Sequence, residues 1–111
     1  MANQINTFRT VTANVTTSNT KVYTVPNGIT AIVLMAQAAN ITDNNHRVSF
    51  SHLTGAGEKT ELLKDFTVLK NDAAGLLTGK LIVEQNCSVE IHSSSNNSLK
   101  LTLSILESTN A

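Results

Sequence analysis

A metal centre needs three or four His, Cys or carboxylate ligands converging on one point. The chain offers His46, His52 and His92, with Glu90 two residues before the last of them. On an extended backbone His46 and His52 share a face with Val48 and Phe50. They would stand roughly 20 Å apart at about 3.3 Å per residue, so one ion cannot join them within a strand. Glu90 and His92 share a face but make an incomplete ligand set. A cupin-type metal enzyme would require the fold to gather all four. Histidines at the rim of a sheet require nothing more, and no metal or cofactor is expected.

Other chemistry is equally thin. Residues 55–60 read Gly-Ala-Gly-Glu-Lys-Thr, which touches the phosphate-loop pattern. In that pattern Gly stands directly before Lys, after a buried strand and at the mouth of a helix. Here Glu58 holds that place and would repel phosphate, so a polar hairpin loop is the better account. Cys87 falls at an inward strand position with no neighbour in sequence to stabilise a thiolate. Asp43, Asp65 and Asp72 have no carboxylate partner at a useful spacing. A glycan or oligonucleotide groove would want aromatic platforms. The chain has no Trp, one Tyr and three Phe, and Tyr23, Phe8, Phe50 and Phe66 are all wanted for a core or its rim. These residues lead to a non-enzymatic expectation.

Composition narrows the class. In 111 residues, 14% are charged and 41% are apolar, and the eight basic and eight acidic side chains cancel. No strong field is available to draw nucleic acid or an anionic membrane, so neither is expected as a partner. Ser, Thr and Asn number 10, 15 and 13 and take the place of charge on the surface. No apolar run approaches the length of a membrane-spanning helix. The first residues, Met1-Ala2-Asn3-Gln4-Ile5, carry neither a basic nor an apolar segment of a targeting signal. The lone Cys87 cannot close an intrachain disulfide, which fits a reducing compartment.

The elements that must position these side chains are strands. Leu99, Leu101, Leu103 and Ile105 alternate with Lys100, Thr102 and Ser104. Cys87, Val89 and Ile91 alternate with Ser88, Glu90 and His92, and Val11, Ala13 and Val15 with Thr and Asn. A period of two with one wet face is the mark of an antiparallel sheet. Pro26-Asn27-Gly28, Thr42-Asp43-Asn44-Asn45, Gly55-Ala56-Gly57, residues 71–75, Gln85-Asn86 and residues 93–98 supply turns. Between them the pattern predicts eight strands, at about 9–16, 20–25, 29–40, 46–53, 60–69, 79–84, 87–92 and 98–107. Residues 60–70 also match a helical face, but Thr67-Val68 and the setting favour strand. Asp72 to Leu77 could form a single short turn. The fold expected is all-β, one antiparallel sandwich of jelly-roll type spanning residues 1–111, with residues 1–8 as an N-terminal arm.

One stretch differs. In residues 29–39, Ile29, Ala31, Val33, Met35 and Ala39 would share one face, and Ile32, Leu34, Ala36 and Ala38 the other. A strand apolar on both sides must be covered on both sides. The cover is either a loop of the same chain or a neighbouring subunit.

The order of certain pieces resembles small β-sandwich virion proteins of tailed bacteriophages, a type common in phages of marine bacteria and cyanobacteria. The pieces are Tyr23-Thr24-Val25-Pro26-Asn27-Gly28 followed by Thr30-Ala31-Ile32-Val33-Leu34, and an Asn-rich loop from Asn40 to Asn45 followed by a strand. Then come Gly79-Lys80-Leu81-Ile82-Val83 and a closing Ser104-Ile105-Leu106-Glu107. The resemblance covers about residues 21–107. Asn86-Cys87 stands where the pattern has a Gly-Asp turn, which alters a turn and no site. The resemblance implies a structural, non-enzymatic role on head, neck or tail, in a virion assembled in the host bacterial cytoplasm.

A capsid decoration or cement protein is the leading expectation. A neck or tail component and a glycan-binding sandwich are the alternatives. The partners expected are other virion proteins and copies of the chain itself, as a trimer or ring. A polar arm such as residues 1–7 is most easily ordered by lying on a neighbour. Met1, Ile5 and Phe8, with Ile29, Ala31, Val33 and Met35 from the two-sided strand, are the candidate interface residues.

Overall fold

The computed structural model describes residues 5–110. Nine strands follow in chain order: β1 Asn6–Asn14, β2 Thr20–Thr24, β3 Ile29–Asn40, β4 His46–Leu53, β5 Lys59–Val68, β6 Ala73–Gly75, β7 Leu81–Val83, β8 Ser88–Ser93 and β9 Leu99–Thr109. No helix occurs among the described residues. One sheet has the order β1-β9-β3-β6, with β7 also paired to β3, and the other has the order β2-β8-β4-β5. Every pairing is antiparallel. β6 pairs with β3 at residues 37–39 and β7 at residues 31–33. The two short segments therefore fill one edge position in turn, and nine strands occupy the eight positions of a jelly roll.

Three local outcomes differ from the sequence expectation. β1 begins at Asn6 and runs in register with β9 from Asn6↔Ser108 onward, so Asn6, Thr7 and Phe8 belong to the sheet and not to an arm. Ala73–Gly75 is a short edge strand, where the residue types favour a turn. The parity of β3 changes along its length. A bulge between Val33 and Met35 sets Val33 opposite Ile105 and Met35 opposite Ser104, with Leu34 as the extra residue. Ala31 and Val33 therefore face inward, and beyond the bulge Ala36 and Ala38 do so as well. The expectation that Ala31, Val33 and Met35 share one face holds only without that bulge.

The core lies between the sheets. Leu99, Leu101, Leu103 and Ile105 of β9 meet Val89 and Ile91 of β8 and Val48 and Phe50 of β4, all fully buried, with Val83 beside them and Leu81 half-buried against them. The alternation of β9 runs from Leu99 to Ser108, one buried residue and one half-buried residue in turn. Turns are set by local chemistry. Ile29 N donates to Pro26 O at 3.2 Å, with Gly28 at φ 82° in the third turn position. Cys87 N donates to Glu84 O at 3.1 Å, and Asn86 takes φ 65° there. Asn tolerates that left-handed region better than other side chains except Gly, so it can close this turn.

Candidate functional site

The histidines do not converge. His52 pairs with Val89 and so lies on the inner side of its sheet near the strand end, whereas His92 pairs with Ser49 on the outer side. Among the described residues no group of three or more His, Cys, Asp or Glu side chains is placed to hold a metal ion. Cys87 is half-buried against the core. In the 55–60 loop, Thr54 N donates to Glu58 O at 2.9 Å, Gly57 N to Thr54 O at 3.0 Å and Glu58 N to Thr54 Oγ1 at 3.0 Å. Those amides close a β4–β5 hairpin and are turned away from any phosphate. A shallow depression of about 340 Å³ lies beside the 41–45 and 93–98 loops, lined by Asn45, His46, Arg47, Thr67 and Ser94. No Phe, Tyr or Trp ring lines it. Asn45 Oδ1 already accepts from Lys70 N at 2.9 Å, and Ser94 Oγ from Arg47 N at 2.9 Å.

Polar side chains instead tie the two sheets together. Glu107, on the inward parity of β9, is buried. Arg9 of β1 donates through Nε to its Oε1 at 2.6 Å, and the Tyr23 hydroxyl of β2 donates to its Oε2. Burial pushes the Glu107 carboxyl up, but the hydrogen bonds from Tyr23 and Arg9 and the guanidinium charge outweigh it, and the net shift is below the usual carboxylate value. Burial, then the bond to Glu107, raises Tyr23 above the ordinary tyrosine range. The clamp joins β1 and β9 of one sheet to β2 of the other. No alternation rule on a single strand could have revealed it. The one available signal was a Glu at an otherwise apolar parity in β9.

The outer faces hold the remaining surface chemistry. On the β2-β8-β4-β5 sheet, register aligns Lys21, Glu90, Ser51 and Glu61 in one row. Glu90 is buried there beneath the Lys59 ammonium, its ion-pair partner, although Oε1 lacks a well-aligned hydrogen bond. On the other sheet, Phe8 pairs with Leu106, Leu106 with Ile32, and Ile32 with Ile82. Because their chain neighbours Ile105, Ala31 and Val83 face the core, this row points outward across β1, β9, β3 and β7. Phe8 is 75% exposed and Ile82 62%.

The candidate interface residues are thus divided. Ile5 and Phe8 are exposed, and so is Met35 at the bulge. Ile29 is half-buried against the core. Ala31 and Val33 have no exposure at all and present nothing to a neighbour, because the bulge leaves them on the core side. Met1 lies outside the described residues. Leu106, Ile32 and Ile82 were missed as a surface row, since their alignment exists only across three separate strand pairings.

The fold has counterparts among solved structures. The chain is similar to a protein from disulfide-linked pili of Bacillus endospore appendages, with a TM-score of 0.59 at 11% identity, covering 96% of this chain and 88% of that one. It is similar to a chain of the virus-like particle of the extra small virus of the prawn Macrobrachium rosenbergii, with a TM-score of 0.51 at 9% identity over 97% and 80% of the two chains. It is also similar to VP2 of the infectious bursal disease virus subviral particle, with a TM-score of 0.50 at 7% identity, where it spans 96% of itself and 33% of VP2. No protein-family model and no characterised protein matches the chain by sequence. These likenesses establish the class of fold, a two-sheet jelly roll.

Proposed function

We propose that the chain is a non-enzymatic structural protein of a virion, working as a capsid decoration or cement subunit. The observation that carries this reading is the fold. A single jelly roll extends over nearly the whole chain, and its likeness to a virus-like-particle chain covers 97% of this protein and 80% of that one. The phage-type order of turns and strands in residues 21–107 supports the same reading. In this role the subunit clips neighbouring capsomers through its outer faces, and many weak contacts on one particle add up to tight retention. Its surface of Thr, Ser and Asn permits close packing of copies without charge repulsion and makes such contacts little dependent on salt.

The pilus likeness does not extend to the covalent linkage. One cysteine in these 111 residues could join a copy to one other copy, whereas a disulfide-linked polymer needs at least two per subunit. The test is mass spectrometry of gradient-purified particles, with immunogold labelling to locate the protein. Many copies on the head surface are expected. Labelling confined to neck or tail would overturn decoration and leave the structural role. Absence from particles would overturn both.

A further inference from the structure

Resting on the reading of the chain as a virion subunit, we propose that the outer face of the β1-β9-β3-β7 sheet is where two copies of this chain pack sheet on sheet, in an isologous pair. Apolar side chains scattered singly over a surface need no explanation. Phe8, Leu106, Ile32 and Ile82 are not scattered, because three independent strand registers line them up across four strands. A contiguous row of this kind marks an interaction site.

Charge selects the occupant. Outside that row, the outward positions of β1, β9 and β3 are Thr, Ser, Asn, Gln and Ala, with Leu34 and Met35 at the bulge, and Lys100 is the one charged side chain among them, already donating to Asn14 Oδ1. A charged partner finds no counter-charge on this face. A second copy meets an equally uncharged row, and Lys100, six residues along β9 from Leu106 at the far end of the face, can stay at the wet rim, so the row buries nothing ionic unpaired. The opposite sheet, with Lys21, Glu90 and Glu61 in one row, lacks this property.

Size and shape agree with a pair. Each strand residue covers about 16 Å² of sheet plane, the product of a rise near 3.4 Å and a spacing near 4.8 Å. The face then amounts to roughly 600 Å² per copy before side-chain relief, and the pair reaches the lower end of a stable interface, about 1,200 Å² in total. An isologous contact must be self-complementary. This face carries a projection, Phe8, and beside it a hollow of about 190 Å³ bounded by Leu34, Thr10, Ser104, Ile105 and Arg9, whose guanidinium is already paired with Glu107. A projection and a hollow on one surface are what two identical faces need to interlock.

Sedimentation of the full chain between about 1 and 100 μM tests this, with circular dichroism and thermal melting run on each variant. Wild type should show a monomer–dimer equilibrium. Phe8→Asp and Ile82→Asp, at the two exposed ends of the row, should keep the fold and weaken association about 100-fold, because each pair would bury two unpaired carboxylates. Glu61→Lys, on the other outer face, should leave association within about twofold of wild type. A monomeric wild type at 100 μM overturns the proposal, as does association insensitive to both row variants or abolished by Glu61→Lys. The particle assay is separate. Presence on particles with a monomeric protein in solution sinks the pairing and leaves the virion role. Pairing through this face with absence from particles does the reverse.

Discussion

The two outer faces of the sandwich are made by the same rule and end in different chemistry. Both sheets turn an apolar side inward: Leu101, Leu103 and Ile105 from one, Val48, Phe50, Val89 and Ile91 from the other. Both alternate polar residues outward. On the β2-β8-β4-β5 sheet the outward row is ionic, with Glu90 buried beneath Lys59 and flanked in register by Lys21 and Ser51. On the other it is apolar at one end, through Phe8, Leu106, Ile32 and Ile82, and hydroxyl-rich along the rest. An ionic row must stay in contact with water or with its own counter-charges. An uncharged row can be dried by a neighbour. Of the two outer faces, the one nearly free of charge is the one a neighbour can dry at the lower cost.

Both outer faces depend on the inner ones, so damage to the core has the largest effect. Phe50→Ala should cost about 3–5 kcal/mol and Leu103→Ala about 2–5 kcal/mol, from lost burial plus the cavity left behind. Both side chains have no exposure, and they sit in opposite sheets. Urea denaturation of the two variants should therefore give losses of similar size. A large cost for one and a negligible cost for the other would show that only one sheet bears on the core.

The ionic face is sharpened by removing one charge at a time. Lys59→Ala should cost about 1–3 kcal/mol, because it leaves the buried Glu90 carboxylate without its counter-charge. Adding Glu90→Gln to that variant should restore much of the loss, since the orphaned charge goes with it. If the double variant is less stable than Lys59→Ala alone, the Glu90 carboxylate has other stabilising contacts and the face is not held by this pair. Chemical denaturation of wild type, both single variants and the double variant closes the cycle.

Tyr23→Phe should cost about 1.5–3 kcal/mol, the usual value of a hydrogen bond to a charged group. The carboxyl of Glu107 is held below its ordinary value. Its contribution to stability is therefore present above the unfolded-state pKa of about 4.3 and is lost as pH falls through the lower folded value. Melting temperature followed from pH 6 to pH 2 should drop more steeply for wild type than for Glu107→Gln. Parallel curves would mean that the clamp does not report on Glu107 ionisation.

Much of this architecture was legible because a strand with one wet face writes its parity directly into sequence. Leu99, Leu101, Leu103 and Ile105 read as a core stripe and are one. Val83, Val89 and Ile91 likewise face inward. The turns at Gly28 and Asn86 were legible from the residue types that accept positive φ. The bulge in β3 was not. An extra residue at Leu34 leaves no mark where every side chain is apolar, so Ala31 and Val33 read as an outer face when they are core. The outward row was hidden for a different reason. Phe8, Leu106, Ile32 and Ile82 become neighbours only through three long-range pairings, and no local period encodes those. The same holds for Arg9, Tyr23 and Glu107.

The smallest expected effect tests whether the uncharged face is idle in the isolated subunit. Thr102 lies in the middle of that face, opposite Thr12 on β1 and Gln37 on β3, and next in chain to the fully buried Leu103. Its side chain is half-buried by its neighbours, and it has no role in the core. Thr102→Ala should cost under about 0.5 kcal/mol in dilute protein, the usual range for a surface change away from caps and networks. Leu103→Ala, one residue on, should cost several times more. The ratio is a direct measure of parity in β9, because a one-residue slip of register would exchange the two values. Measured at concentrations where copies associate, the Thr102→Ala cost should change with protein concentration, whereas the cost of an exchange on the opposite outer face, such as Glu61→Gln, should not. A Thr102→Ala cost that is the same at 1 and 100 μM would show that this part of the face stays wet, and would confine the contact to the apolar end around Phe8 and Leu106.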